Sequence, residues 1–476
     1  MEGYAISYEN IVLSTYKTEH ILTLELTKDI NEHGQLNITA IVPEEVAEDY
    51  VYTTTSFTPV TVSYSTKDGN LEVLFRGIVS NIQITRQGNV YYMNLCVKGN
   101  TYTMDIIKQS RSFQNISMTL HQLIKEVMSK YESSDYIISI PDEPLGRLVM
   151  QYQETDWIFL KRLLSHYGAR LIPDVRTEKI SFFIGVPNQG ETYDIEPYQY
   201  CVSKALDEYR MVKKNRWSDV KETDFTVFQM KDYRVFQVGD YINLSGKNLI
   251  VQSAHHILND GILKNEYELK RKEGLKGLEV YHAGIVGISL SGIVADVSRD
   301  KVKVNLEIDE PGRAIYWFPF STMSASPDGS GWYCMPEKGD EVRVYFPTNE
   351  EKDAYAVSAV SGYQPLEGDV EDRMANPEVK YLRTKQNQEI QFAEEGIIIN
   401  SGDGQSSIIL GKSGQLTVYG KNTVNVTAEK TLSLVSKGQL LIGANNSITL
   451  KRGEGTSIVL DSEGNVKMKG TKIYSN

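Results

Sequence analysis

Four stretches of this sequence combine residue types that could do chemistry. Residues 404–413, GQSSIILGKS, approach the pattern of a phosphate-cradling loop, in which glycine amides wrap a phosphate and a lysine reaches it. That pattern has four residues between its glycines, whereas six separate Gly404 from Gly411, so the stretch reads as a turn between strands. His255 and His256 could ligate a metal, but neighbouring strand residues face opposite sides and no third ligand is evident. One is expected in the core and one in solvent. Asp309/Glu310 and Glu394/Glu395 are carboxylate pairs of the kind that cleave glycosidic bonds, yet they fall in a turn and in an acidic connector without a cleft pattern. They read as solvated charge. Cys96, Cys201 and Cys334 are odd in number and far apart, with neither metal-knuckle nor disulfide-scaffold spacing, and are expected as buried reduced thiols. No catalytic residue, cofactor or metal site is expected.

The elements that would carry these residues are mostly strands. Leu22–Leu26 and Val60–Tyr64 alternate, and Gly69, Gly77 and Gly88 punctuate the first hundred residues. Two helices are expected next. Ser117 could cap the first, with Leu120, Leu123, Ile124, Val127, Met128 and Tyr131 on one face. The second starts at Thr155 and Asp156, carries Trp157, Leu160, Leu163, Leu164 and Tyr167, and stops at Gly168. Trp157 is expected in the core. The reading gives a β-barrel-like module over 1–110, a helical α/β insertion over 111–180, and a second β-barrel-like module over 181–282. Over 283–362, strands at Ile288–Val297, Val302–Ile308, Ala314–Phe318, Trp332–Met335, Glu341–Phe346 and Ala354–Val360 suit an OB-fold, with Trp332 in its core. Residues 363–395 carry eight Asp and Glu against four Lys and Arg, without apolar periodicity, and read as a connector.

The tail, 396–476, repeats. Apolar doublets two residues apart stand at Ile408/Leu410, Leu416/Val418, Val424/Val426, Leu432/Leu434, Leu440/Ile442 and Ile448/Leu450, each eight residues after the last. The register resumes at Ile458/Leu460 and Val466/Met468. Residues i and i+2 of a strand share a face, so each octad supplies one short strand and a polar turn. A single chain of such strands has too little to bury. Three copies wound about one axis would pair every edge and bury every doublet, forming a triangular β-prism. Layers about 4.8 Å apart give a rod roughly 40–50 Å long.

Composition narrows the classes. The charge sum, 50 − 62 = −12, disfavours nucleic acid and anionic membranes. The tail reverses sign, but Tyr419 and Tyr474 are its only aromatics, too few to stack bases. Forty-one per cent apolar residues and 29 Tyr favour a folded, β-rich protein. No signal peptide and no 18-residue apolar run is present, so folding in the cytosol is expected.

Taken together, the parts resemble the central spike of contractile injection machines, the VgrG and contractile phage tail hub-spike family. The stretch 152–168, YQETDWIFLKRLLSHYG, resembles its acidic-aromatic "ETD" helix. Gly331-Trp332, Pro336, Gly339-Asp340-Glu341-Val342 and Asp353 resemble its OB-fold pattern, with Thr348–Asp353 in place of the usual Asn-Gly-Asp loop. The octad tail resembles its trimeric β-helix, and the two β modules its hub. The resemblance covers essentially the whole chain. It implies a structural, non-enzymatic homotrimer that adapts a sixfold tube and baseplate to a threefold tip and pierces an envelope. Needle-core positions would be Leu416, Val418, Val424, Val426, Leu432, Leu434, Leu440, Ile442, Ile448, Leu450, Ile458, Leu460, Val466 and Met468. Implied partners are the inner tube ring protein, baseplate proteins, a PAAR-like tip protein or effector, and the target cell envelope, with assembly in the bacterial cytoplasm and delivery outward. No histidine follows His282, so no metal tip is expected, and about 33 residues between barrel and tail leave no room for a lysozyme domain. The alternatives are a trimeric receptor- or carbohydrate-binding fibre, which an exposed aromatic OB groove would favour, and a peptidoglycan enzyme.

Overall fold

Strict burial alternation, as along Gln35–Val42 and Val90–Gly99, marks strands with one face in a core and one in solvent. In the computed structural model these strands belong to a mainly β protein. It describes residues 4–187, 192–196, 199–326, 328, 330–357, 374–402 and 404–474. Two compact units divide the chain, Met1–Gly362 and Tyr363–Asn476.

In the first unit the two expected β modules share one sheet. Its path runs Ile11–Leu13, Pro59–Ser65, Leu71–Gln87, Val90–Gly99, Gln35–Val42, His20–Asp29, Lys247–Asn259, Ile262–Lys270, Thr226–Asp232 and Tyr200–Lys204. The seam between the modules is antiparallel, with Leu24 opposite Leu258 and Asp29 opposite Ser253. Each module still keeps its own core, one around Leu24, Phe75 and Met93, the other around Phe236, Ile250 and Tyr267.

Among the described residues there are four α-helices, α1 (Glu44–Thr53), α2 (Leu120–Met128), α3 (Asp156–Ser165) and α4 (Leu206–Asn215), of which α2 and α3 share a separate core with Leu171, Phe182 and Ile184. The apolar stripes of α2 and α3 are buried as the spacing required. The α2 cap is Thr119 rather than Ser117: its hydroxyl accepts from Gln122 N, and Gln122 returns a bond to Thr119 N. The reading missed α1 and α4, because they bury only Ala47 and Val212.

Residues 289–357 form a small barrel. Strands Trp317–Pro319, Lys301–Leu306, Ser289–Ser298, Glu341–Tyr345 and Tyr355–Val357 pair in that order, and a parallel bridge from Phe320 to Ala356 closes the ring. The expected strand at Trp332–Met335 does not form. That stretch lies in a loop held by an Ala325–Gly331 bridge, and the expected barrel-core Trp332 is 55% exposed. The cysteines are likewise not buried: Cys201 lies on the exposed edge strand Tyr200–Lys204, Cys334 in the same barrel loop, and Cys96 is half-buried.

The second unit begins inside the expected connector, whose first part lies outside the described residues. Lys380–Arg383 and Glu389–Ala393 are strands of an antiparallel meander that continues through Gly396–Asn400, Ser406–Gly411 and Leu416–Gly420. Tyr381 and Leu382 are adjacent and Ile390 and Phe392 are a single doublet, too little to register as a period. A three-stranded meander, Ile448–Arg452, Thr456–Leu460 and Val466–Lys469, lies near the end.

Candidate functional site: the hub–neck joint and the unpaired tail

Two places in the chain have geometry beyond what packing requires. The first grows from Glu154-Thr155-Asp156. Thr155 caps α3 by accepting from Ile158 N, which fixes the turn that carries its neighbours. Asp156, fully buried, accepts from Arg111 Nη2 at 2.9 Å, Tyr131 Oη at 2.8 Å and Gln151 Nε2 at 3.0 Å, and pairs with Lys130. Burial, reinforced by that carboxylate, pushes the Tyr131 phenol well up.

Glu154 faces the other way. It takes a fork from Arg162, with Nη2–Oε2 at 2.8 Å and Nε–Oε1 at 2.9 Å, while Arg162 also donates to Met150 O at 2.6 Å. The remaining guanidinium nitrogen, Nη1, reaches Glu351 Oε1 of the barrel at 3.2 Å. Burial opposes the Arg162 charge, but the two carboxylates outweigh it and hold its pKa above the usual value. The departure from Asn-Gly-Asp is thus where the barrel supplies its buried carboxylate.

Other contacts extend this joint. Asp309 accepts from Ser112 N at 2.6 Å, and Gln114 accepts from Ile315 N at 3.1 Å and donates to Val304 O. Leu148 and Met150, from the insertion, lie in the barrel's own core beside Val304 and Val344. Hub insertion and barrel are therefore packed as one piece, with satisfied charge at the centre of the contact.

The second place is the tail. Every expected core position is at least 37% exposed in the single chain except half-buried Ile448, with Val426 at 66%. Where strands pair, doublets share a face: Leu450, Ile458 and Met468 form one row, and Ile448, Leu460 and Val466 the next. Ile408 opposes Val418, and Leu410 opposes Leu416. Val424, Val426, Leu432, Leu434, Leu440 and Ile442 lie on no strand. Between 421 and 447 two-residue bends at 421–422, 429–430, 437–438 and 445–446 separate six-residue segments that lie in neither helix nor strand, a period of eight. Residues 422–447 make no backbone–backbone hydrogen bond with any described residue of the chain. Strand assignment needs a partner strand, and none of this chain's described strands lies beside them.

The residues singled out for chemistry separate. In 404–413, Ser406–Gly411 is a strand between two others, not a loop leading to a helix. His256 is buried with Nδ1 on Asn265 Oδ1 at 2.8 Å, while His255, on the opposite face, meets Glu25 at 2.9 Å. Asp309 is a joint residue and its neighbour Glu310 lies 3.9 Å from Arg313; Glu394 pairs with Lys412. Trp157 is 2% exposed and donates to Asn31 O at 3.0 Å, a structural role. Among the described residues no cluster of three His, Cys, Asp or Glu is placed to hold a metal, and no helix is long and apolar enough to cross a membrane. The reading missed Arg162 and Glu351. Arg162 sits beside the recognised stripe, but nothing local pairs it with a residue far along the chain.

Residues 29–171 match the phage tail baseplate hub (GPD) family, and residues 290–360 match the type VI secretion system/phage-baseplate injector OB domain family. No curated protein matches the chain. Among solved structures, the E. coli c3393 protein, a component of the type VI secretion system with structural similarity to T4 bacteriophage tail proteins gp27 and gp5, aligns with a TM-score of 0.52 at 14% identity. The alignment covers 74% of this chain and 99% of that one. A chain of the half-lidded Francisella PdpA–VgrG complex aligns with a TM-score of 0.54 at 9% identity over 87% of each chain, and one of the lidded complex with 0.52 at 9% over 84% and 76%. These identities speak to fold. The resemblance to the hub-spike family is borne out, and the small barrel is its OB-fold.

Proposed function

We propose that this chain, whose hub and neck segments are those of the VgrG and phage-tail baseplate hub-spike family, assembles as a homotrimeric spike. The observation that carries the reading is the tail segment 422–447: bent every eighth residue, apolar at each doublet, and without a backbone hydrogen bond to any described residue. Apolar rows of this kind mark an interaction surface, and the backbone groups buried with them when they are covered must then be paired. Three copies about one axis supply both, with Leu416, Val418, Val424, Val426, Leu432, Leu434, Leu440, Ile442, Ile448, Leu450, Ile458, Leu460, Val466 and Met468 inward.

The domain roles follow the expected boundaries. Residues 1–282 form the hub, where two β modules per chain match a sixfold tube ring and baseplate in a threefold molecule. Residues 283–362 form the neck, and 396–476 the needle. The Arg162 joint suits a part that passes sheath force from hub to tip. The needle pierces the target envelope, carrying a tip protein or effector, and any catalysis resides in that cargo. Light scattering on the purified chain tests the assembly: a mass of three 53.8 kDa chains is expected, and a monomer at micromolar concentration would overturn it.

One observation favours a second reading, a carbohydrate-binding fibre. Trp332 and Tyr333 are 55% and 73% exposed on the barrel, where a buried Trp332 would have favoured the spike. Glycan-array binding abolished by Trp332→Ala would support it; an array without signal would leave the spike.

A further inference from the structure

Arg170 enters a confined place at the start of strand Leu171–Pro173. Its Nε donates to Leu275 O at 2.8 Å, and among the described residues neither Nη1 nor Nη2 has a hydrogen-bond acceptor. Lys270, 6% exposed, points its Nζ at Glu208 Oε2 of α4, 2.9 Å away. Both side chains line a cavity of about 170 Å³ together with Asn31, Gln252 and Gly274.

The charges there are not all paired. Glu208 is the carboxylate opposing Arg170, and the same carboxylate already pairs with Lys270. Asp29 lines the cavity too, but makes no hydrogen bond or ion pair with either cation among the described residues. The carboxylate that opposes Arg170 is thus committed to Lys270, and the fork has none in contact. Burial pulls the Arg170 guanidinium below its usual range, which is the mark of a cation whose counter-charge is incomplete. The loop lies directly against the fork: a Cβ on Gly277 would stand 1.8 Å from Nη2 and would push it aside.

We propose that this cavity binds one oxyanion, a phosphate or carboxylate group held by the Arg170 fork and the Lys270 ammonium. The guanidinium's two free nitrogens match two oxygens of either group, and the space accommodates one such group with several waters. Nothing in this proposal depends on trimerisation.

The test titrates inorganic phosphate and acetate into the purified full chain at constant ionic strength, read by calorimetry and by thermal unfolding. Saturable binding at millimolar phosphate is expected, weakened about tenfold or more by Arg170→Gln and by Lys270→Gln. Gly277→Ala keeps both charges but displaces the fork, and is expected to weaken binding as much; it carries the test if Arg170→Gln does not fold. Phosphate bound more tightly than acetate assigns a free anion, and acetate bound at least as tightly assigns an acidic side chain of a docking protein; both support the site. Wild type without saturable binding, or variants that bind like wild type, would overturn it.

Discussion

Arg162 of α3 and Glu351 of the small barrel meet through Nη1 and Oε1 at 3.2 Å, with 5% and 4% of their side chains exposed. They stand 189 positions apart, and the contact joins the hub insertion to the barrel at a point closed to water. Arg162→Met would leave Glu154 and Glu351 as buried carboxylates without a cation. Breaking such a pair from one side costs about 3–5 kcal/mol. The urea midpoint of the first unit is expected to fall accordingly. Glu351→Gln should cost less, since Glu154 keeps its fork on Arg162. An Arg162→Met midpoint equal to wild type would mean that the joint does not stabilise the fold.

Two tryptophans carry opposite expectations. Trp157 is buried against Phe182, with ring centres 5.7 Å apart, and its indole N–H is used by Asn31 O. Trp157→Ala is expected to cost about 3–5 kcal/mol, because a large cavity opens and a buried acceptor loses its donor. Trp332→Ala, at an exposed loop position, should stay within about 0.5 kcal/mol. Thermal unfolding of the two variants side by side checks the burial assignment that overturned the barrel-core expectation for Trp332.

Lys28 gives a pH dependence whose sign is fixed. It is buried on the inner face of the module seam, with Gln237 Oε1 at 2.9 Å as its acceptor, and burial first, then Arg176, lowers its pKa from 10.5 to about 7. A base with a lowered folded pKa costs nothing above its unfolded value. The penalty grows as pH falls from about 10.5 and is complete below about 7. Lys28→Met should therefore stabilise the hub, by several kcal/mol at most at pH 7 and below, with the gain vanishing toward pH 10.5. Urea midpoints at pH 6, 8 and 10 measure this; a gain that grew with pH would refute the assignment.

What could be read in the sequence followed periodicity. The α3 stripe recurs at three and four residues and its cap is adjacent, so helix, cap and buried Trp157 were all legible. Helix α1 buries Ala47 alone and α4 buries Val212 alone, so their signal lay in charge instead. Glu44 and Glu45 follow Pro43 at the first turn of α1, and Asp207 and Glu208 precede Lys213 and Lys214 across α4, both favourable to a helix dipole. The seam of the modules and the Glu351 contact depend on pairing between distant segments, which no local pattern records. Trp332 misled because a Gly-Trp pair before Pro336 fits a strand, while the bridge from Ala325 to Gly331 turns that stretch into a loop.

The tail allows the sharpest test of assembly, because its two faces differ within one strand's reach. Leu434 belongs to the apolar doublets, and once the segment pairs as a strand its neighbour Ser433 faces the other way. In a trimer, Leu434→Asp would place three carboxylates in a water-poor core at a cost of several kcal/mol per charge, whereas Ser433→Asp would add the same charge to solvent. Light scattering is expected to show Leu434→Asp shifted from three chains toward one and Ser433→Asp unchanged. The first unit should keep its own unfolding transition in both, since its cores lie in Met1–Gly362. A Leu434→Asp protein that remained trimeric and as heat-resistant as wild type would show that the doublets do not face inward, and the needle would then have to be built on the other face of these strands or by another segment.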